Sequence, residues 1–112
     1  FQINDPVEFN KIISTNAVLT TNATLNTWIE GPVWVPSDGG YLVFSAIPQN
    51  KLKKLVPPST LTDYWLPPAN TKCNGNMLDL HENLISWFAI GQIIRHKKDN
   101  NIHERYSQNA SI

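Results

Sequence analysis

Two short strand patterns joined by a tight turn, within residues 30–45, constrain the fold of this chain more than any other stretch. Residues 33–35 are apolar, residues 36–40 read Pro-Ser-Asp-Gly-Gly, and residues 41–47 are almost continuously apolar. Proline, aspartate and glycine are the residues that tight turns use, and an apolar run of this length between turns is typical of a buried strand. A weaker copy of the arrangement follows at residues 75–86. The sequence therefore predicts a repeated β unit.

Strand patterns of the same kind recur along the rest of the chain. Each is short, rich in apolar residues and bounded by proline, glycine or asparagine, which indicates a strand between turns. The predicted strands are residues 17–29, 33–35, 41–47, 51–56, 61–66, 77–80, 84–88, 92–96 and 102–106.

A short helix is predicted ahead of the strands. Asp5 suits the cap of a first turn, and Pro6 suits the first helical position, where its missing N–H costs nothing. We expect the helix to run from Pro6 to Ile13 and to pack its apolar side, with Phe9, Ile12 and Ile13, against a sheet.

The two halves of the chain align with a period of roughly 41 to 44 residues, which lies within the range of four-stranded propeller blades. The aligned pairs are Gly31 with Gly75, residues 41–43 with residues 83–85, and Leu52 with Ile93. Four short antiparallel strands per unit predict an all-β chain with about two propeller blades, and a generic β-sandwich is the alternative that the pattern leaves open.

We expect one domain over residues 1–112. Residues 1–27 form its N-terminal helix and strand segment, residues 28–70 the first blade and residues 71–112 the second. A propeller closes with about four to eight blades, so two blades leave apolar faces and strand edges bare. The pattern therefore predicts a fragment, or a chain completed by another chain or by self-association.

The composition argues against several classes of function. Nine basic residues balance nine acidic ones, so there is no electrostatic case for a nucleic acid or an anionic membrane as partner. One cysteine, Cys73, and three widely spaced histidines do not form a thiolate-rich zinc motif. No apolar run approaches the roughly 20 residues of a membrane-spanning helix, and no leader pattern follows Phe1. We expect a soluble protein, and the sequons at Asn22 and Asn109 matter only if it is secreted.

The SMP-30/gluconolactonase-like family is the one that this chain resembles. The family's first blade is similar to residues 30–34 (Glu-Gly-Pro-Val-Trp), 40–45 (Gly-Tyr-Leu-Val-Phe-Ser) and 47–52 (Ile-Pro-Gln-Asn-Lys-Leu). Its second blade is similar to Asn74-Gly75, Asp79 and residues 84–86. The likeness spans residues 8–106 and implies the N-terminal blades of a six-bladed propeller that hydrolyses lactones with a divalent cation, usually calcium, in its central channel.

The resemblance implies roles for two side chains. Glu30 is implied as a ligand of the cation, since a hard dication prefers carboxylate oxygens. The cation polarises the lactone carbonyl and orients an attacking water in such sites. Asn74 is implied as a residue that positions the substrate or a metal-bound water, and a turn residue paired with Gly75 is the alternative.

The sequence also departs from the family. Ala46 stands where the family usually has an acidic residue, and the apolar residues 87–89 replace a polar segment. The family's other metal ligands, an Asn and an Asp, come from later blades. One carboxylate cannot supply the six or more oxygens that calcium takes, so we expect the chain alone to be inactive, with a cation bound only if the remaining blades are supplied.

Two functions therefore stand open at the level of the sequence. One is the N-terminal part of a calcium-dependent lactone hydrolase that acts on a small-molecule lactone. The other is a non-catalytic propeller remnant that serves as a structural or protein-interaction module.

Several other side chains are predicted to be structural. We expect Cys73 to be a buried thiol and Asp79 to be a turn residue at the end of a strand. Packing roles within the blades are expected for the tryptophans, which are Trp28, Trp34, Trp65 and Trp87.

Overall fold

The computed structural model describes residues 2–97 and 102–108. Within these residues one short helix, α1 (Pro6–Phe9), precedes eight strands. The strands are β1 (Ile29–Val35), β2 (Tyr41–Ala46), β3 (Lys51–Val56), β4 (Thr60–Trp65), β5 (Cys73–Leu78), β6 (Leu84–Phe88), β7 (Gln92–His96) and β8 (His103–Gln108). The Asn109 sequon lies outside the described residues.

The strands form two antiparallel sheets with the orders β1-β2-β3-β4 and β5-β6-β7-β8. Each sheet is a simple meander, because every strand pairs with the strand that follows it across a short connection. The prediction of an all-β chain with two four-stranded antiparallel units and a short helix is confirmed, and the two sheets do not close a ring.

Most strand predictions are confirmed within a few residues. β6 and β7 have the predicted bounds, since both are apolar runs between clear turn residues. β5 begins at Cys73 instead of Met77, because a register irregularity between Cys73 and Asn76 lets the chain join the sheet early.

The N-terminal predictions need correction. The strand predicted over residues 17–29 is wrong: residues 17–28 form no strand, and β1 begins at Ile29. These residues have strand-like composition but no partner strand, and the Asn22 amide instead donates a hydrogen bond to the Pro58 carbonyl at 2.6 Å. The helix ends at Phe9, not Ile13, and Ile12 is 87% exposed, so the predicted packing of Ile12 on a sheet is also wrong.

The core lies between the two sheets and is built mainly from alternate residues of β2 and β6. The buried residues of these strands that face the opposite sheet are Tyr41, Val43, Ser45, Leu84, Ser86 and Phe88. Val35 pairs with Tyr41 in the first sheet, just as Leu78 pairs with Leu84 in the second.

The structural counterpart of Tyr41 is therefore Leu84, one residue away from the Asn83 predicted by alignment. The difference is large in physical terms, because a slip of one residue turns the opposite face of a strand to the core.

No helix of the described residues is long or apolar enough to cross a membrane.

Candidate functional site

Glu30 and Asn74 lie at matching irregularities of the two sheets. The pairing of β1 with β2 shifts between Glu30 and Val33, and the pairing of β5 with β6 shifts between Cys73 and Asn76. We call residues 30–33 the β1 bulge and residues 73–76 the β5 bulge.

β1 and β5 approach each other closely at these bulges. Gly31 has φ of 57°, and a Cβ there would collide with the Asn74 carbonyl oxygen and lie 2.9 Å from the Asn76 nitrogen. The Ser45 hydroxyl, opposite Glu30 in the sheet, donates a hydrogen bond to the same Asn74 carbonyl at 2.8 Å. The backbone next to Glu30 and the backbone of Asn74 are thus joined, although the two residues are far apart in sequence.

The side chains of Glu30 and Asn74 line different cavities. Glu30 is exposed at a cavity of about 390 Å³ between the N-terminal segment and the outer face of the first sheet, where Asn22, Leu25 and Leu42 are among the lining residues. Asn74 lines a cavity of about 400 Å³ with Gly75, Trp87 and Ala89.

Trp87 and Ala89 belong to the segment that departs from the family pattern. The structure therefore places apolar side chains beside Asn74.

The described residues do not by themselves make a calcium site. They contain no group of three or more His, Cys, Asp or Glu side chains that could hold a metal ion. Calcium takes six to eight oxygen ligands, whereas Glu30 offers one carboxylate. We therefore assign no catalytic step to a metal held by these residues.

Asn76 is a central residue of the bulges that the sequence reasoning missed. Its side-chain amide donates to the Gly31 carbonyl and to the Ser45 hydroxyl, each at 2.9 Å, and accepts from the Ser86 hydroxyl at 2.7 Å. The available signal was a polar residue at a position whose counterpart in the first sheet, Val33, is apolar.

Ser86 and His96 resemble a nucleophile and its base in distance, with 3.1 Å between the hydroxyl and Nε2. Ser86 is 0% exposed and His96 is 1% exposed, so a substrate does not reach them in this arrangement. Burial, with a smaller contribution from His103, lowers the pKa of His96 to about 3. The pair is therefore a neutral, structural hydrogen bond.

Cys73 and Asp79 have the structural roles that were predicted. Cys73 is a buried free thiol, and burial raises its pKa, so it is a poor nucleophile. Asp79 accepts hydrogen bonds from the Asn83 side chain and from the backbone N–H groups of His81 and Asn83, and the Asn83 side chain is the main cause that lowers its pKa. Asp79 thus closes the turn between β5 and β6.

The tryptophans divide into two groups. Trp65 is half-buried, stacks on His103 with ring centroids 4.8 Å apart, and meets Phe88 edge-on. The prediction of a packing role is thus confirmed for Trp65, whereas Trp28, Trp34 and Trp87 are exposed.

The outer face of the second sheet presents an apolar surface. We call it the outer patch, and its residues are Met77, Ile85, Trp87 and Ile93. They line a cavity of about 240 Å³, and Met77 and Trp87 remain 61% and 41% exposed. An exposed apolar surface of this kind is typical of a site that packs against another chain or element.

Comparison of the chain with protein-family models, with curated proteins and with solved structures gives no match. The bulges and the outer patch are therefore the features from which a function can be inferred.

Proposed function

We propose that this chain forms the first two blades of a β-propeller and contributes Glu30 and Asn74 to a lactone-hydrolysing site that further sheets complete. The observation that supports this best is the contact between the β1 and β5 bulges. A propeller arranges its blades around a central channel, so residues in matching bulges of successive blades can serve one site once further sheets enclose the two cavities that Glu30 and Asn74 line.

The two side chains have chemically distinct capacities. Glu30 provides carboxylate oxygen, the ligand type that a divalent cation prefers, and the other ligands come from the further sheets. The Asn74 amide has N–H groups that can donate to a lactone oxygen and a carbonyl that can accept from a hydroxyl. Both groups are on exposed residues, which leaves them available to a ligand.

Calcium titration followed by thermal melting tests the proposal. A ligand that binds only the folded chain raises its stability, by about 1.4 kcal/mol at tenfold excess over the dissociation constant. We expect a melting temperature that rises with calcium at chain concentrations where the chain self-associates and further sheets can add ligands, and we expect Glu30→Gln to abolish the rise.

Glu8→Gln is the matched control, because Glu8 is also an exposed carboxylate and lies in the helix far along the chain from the bulges. The absence of any calcium-dependent shift in the self-associated wild-type chain counts against the proposal.

The outer patch favours a second candidate function, a non-catalytic module that binds another four-stranded sheet. The outer face of the first sheet is covered, since residues 20–25 lie over Leu42 and Phe44 there. The outer patch has no such cover among the described residues, and its side chains are uncharged. A second apolar sheet face, from another copy of the chain or from a longer chain, is the partner that matches it.

A further inference from the structure

The amide of Asn76 has an orientation fixed by its neighbours. The Gly31 carbonyl can only accept a hydrogen bond, so the nitrogen of the Asn76 amide must face it. The oxygen of the amide then faces Ser86, whose hydroxyl must donate to it.

This orientation fixes the donor and acceptor roles in a longer series of hydrogen bonds. Ser86 donates its single hydroxyl proton to the oxygen of the Asn76 amide. Nε2 of His96 must therefore donate to the Ser86 oxygen. Nδ1 of a neutral His96 is then the acceptor, and Nδ1 of His103 donates to it.

At its other end this series of hydrogen bonds reaches both bulges. The second N–H of the Asn76 amide donates to Ser45, whose hydroxyl proton continues to the Asn74 carbonyl. All hydrogen bonds run one way, from His103 towards the carbonyls of Gly31 and Asn74.

We propose that Asn76 is a positioning residue for Glu30 and Asn74. It binds the carbonyl of the residue after Glu30 directly, and it binds the carbonyl of Asn74 both through Ser45 and directly at 3.4 Å. One side chain thus holds the two bulges in a fixed relation, and the hydrogen bonds from Ser86 and His96 hold that side chain. The role in a binding site rests on the function proposed above, whereas the role in joining the bulges does not.

The test compares three variants of the whole chain by residue-resolved amide hydrogen exchange. Asn76→Leu keeps the size of the side chain but removes every hydrogen bond of the amide. Ser86→Ala keeps the Asn76 amide but removes the donor to its oxygen and the acceptor of the His96 Nε2 proton, and it is the second variant if Asn76→Leu does not fold. Asn83→Leu is the matched control, since its amide also binds a side chain, Asp79, but in the turn at the other end of β5.

We expect Asn76→Leu to raise the exchange rates of the two bulges about tenfold or more above any change in β3 and β7, because the net effect of one hydrogen bond is about that factor. Ser86→Ala gives a smaller rise at the same residues, and Asn83→Leu gives none there. Unchanged exchange at the bulges, or an increase spread evenly over both sheets, overturns the inference.

Calcium-dependent melting of the same variants separates this inference from the proposed function. We expect Asn76→Leu to lose the calcium-dependent rise in melting temperature and Asn83→Leu to keep it. If the wild-type chain shows no rise, the proposed function fails while the exchange rates still decide how Asn76 acts. If the wild type shows the rise and Asn76→Leu retains it in full, Asn76 is not a positioning residue for the site.

Discussion

The two glycines that the repeat aligns, Gly31 and Gly75, have different structural roles. Gly31 has a positive φ and lies against the backbone of β5, so no other residue fits without a shift of that strand. A Cβ on Gly75 would meet nothing within 4 Å. At the residue scale, the Glu-Gly-Pro sequence of β1 is therefore explained by a contact between strands, which the second copy of the glycine does not make.

Substitution of the two glycines by alanine tests this difference. Gly31→Ala combines a left-handed backbone with a collision against Asn74, and we expect it to lower the free energy of unfolding by about 3 kcal/mol. Gly75→Ala, the matched control, changes it by about 0.5 kcal/mol or less. Equal effects of the two substitutions in urea unfolding would contradict the close approach of β1 and β5.

His96 makes the stability of the chain depend on pH. Its pKa is about 3 in the folded chain and about 6.5 when unfolded, so between these values the unfolded chain binds a proton that the folded chain does not. The contribution of His96 to the free energy of unfolding is therefore fully present above about pH 6.5 and is lost as the pH falls towards 3, with a slope that approaches about 1.4 kcal/mol per pH unit inside this window. His103, whose pKa is also lowered by burial, adds to the same slope.

Urea unfolding at a series of pH values measures this slope. His96→Gln keeps an N–H near Ser86 but does not titrate, so we expect a flatter dependence in the upper part of the window, where carboxylates stay ionised. His81→Gln is the control, because His81 is exposed, and it retains the wild-type slope. A wild-type slope in His96→Gln would show that His96 does not carry the effect.

At the scale of elements, local patterns predicted the strands well and their contacts poorly. β6 and β7 were predicted to the residue because each is an apolar run between turn residues. Residues 17–28 have a similar composition but pair with no strand, and only the presence of a partner strand in the fold distinguishes the two cases.

The sequence likewise predicts some residues of the candidate site and misses others. Glu30 and Asn74 were predicted because they belong to local motifs. Asn76, Ser86 and His96 were missed because their hydrogen bonds cross between strands or between sheets, and no local pattern records such contacts.

Asn50 connects the first sheet to the second through its side chain. It follows the short 3-10 turn at Ile47–Gln49 in a left-handed conformation, donates to the carbonyls of Pro67 and Pro68, and accepts from the backbone N–H of Lys72 at 2.7 Å. One amide thus fixes the path of the connection that leads from β4 into β5.

We expect Asn50→Ala to lower the free energy of unfolding by about 2 to 3 kcal/mol, since it removes the hydrogen bonds to the Pro67 carbonyl and the Lys72 N–H, whereas the Pro68 carbonyl keeps the one from Thr71. Asn70→Ala is the matched control: Asn70 also has a positive φ, of 63°, but is exposed. We expect a loss of about 1 kcal/mol or less for Asn70→Ala in the same thermal or urea unfolding experiment. A similar loss in both variants would assign the effect to backbone conformation and not to the hydrogen bonds of Asn50.

At the scale of the whole molecule, the two sheets cover each other on one side only. Their inner faces form the core, the N-terminal segment lies over the outer face of the first sheet, and the outer patch of the second sheet stays exposed. We expect a chain built this way to lower its free energy by packing the outer patch against another sheet.

Sedimentation equilibrium of the chain over a range of concentrations tests this claim most directly. We expect a mass above the 12.7 kDa of one chain that rises with concentration. We also expect Trp87→Lys, which places a charge in the outer patch, to return the chain to a monomer, whereas Trp28→Lys, a change at a tryptophan outside the patch, leaves the association intact. A wild-type monomer of 12.7 kDa at every concentration, unfolding cooperatively, would contradict the account of an incomplete β-propeller.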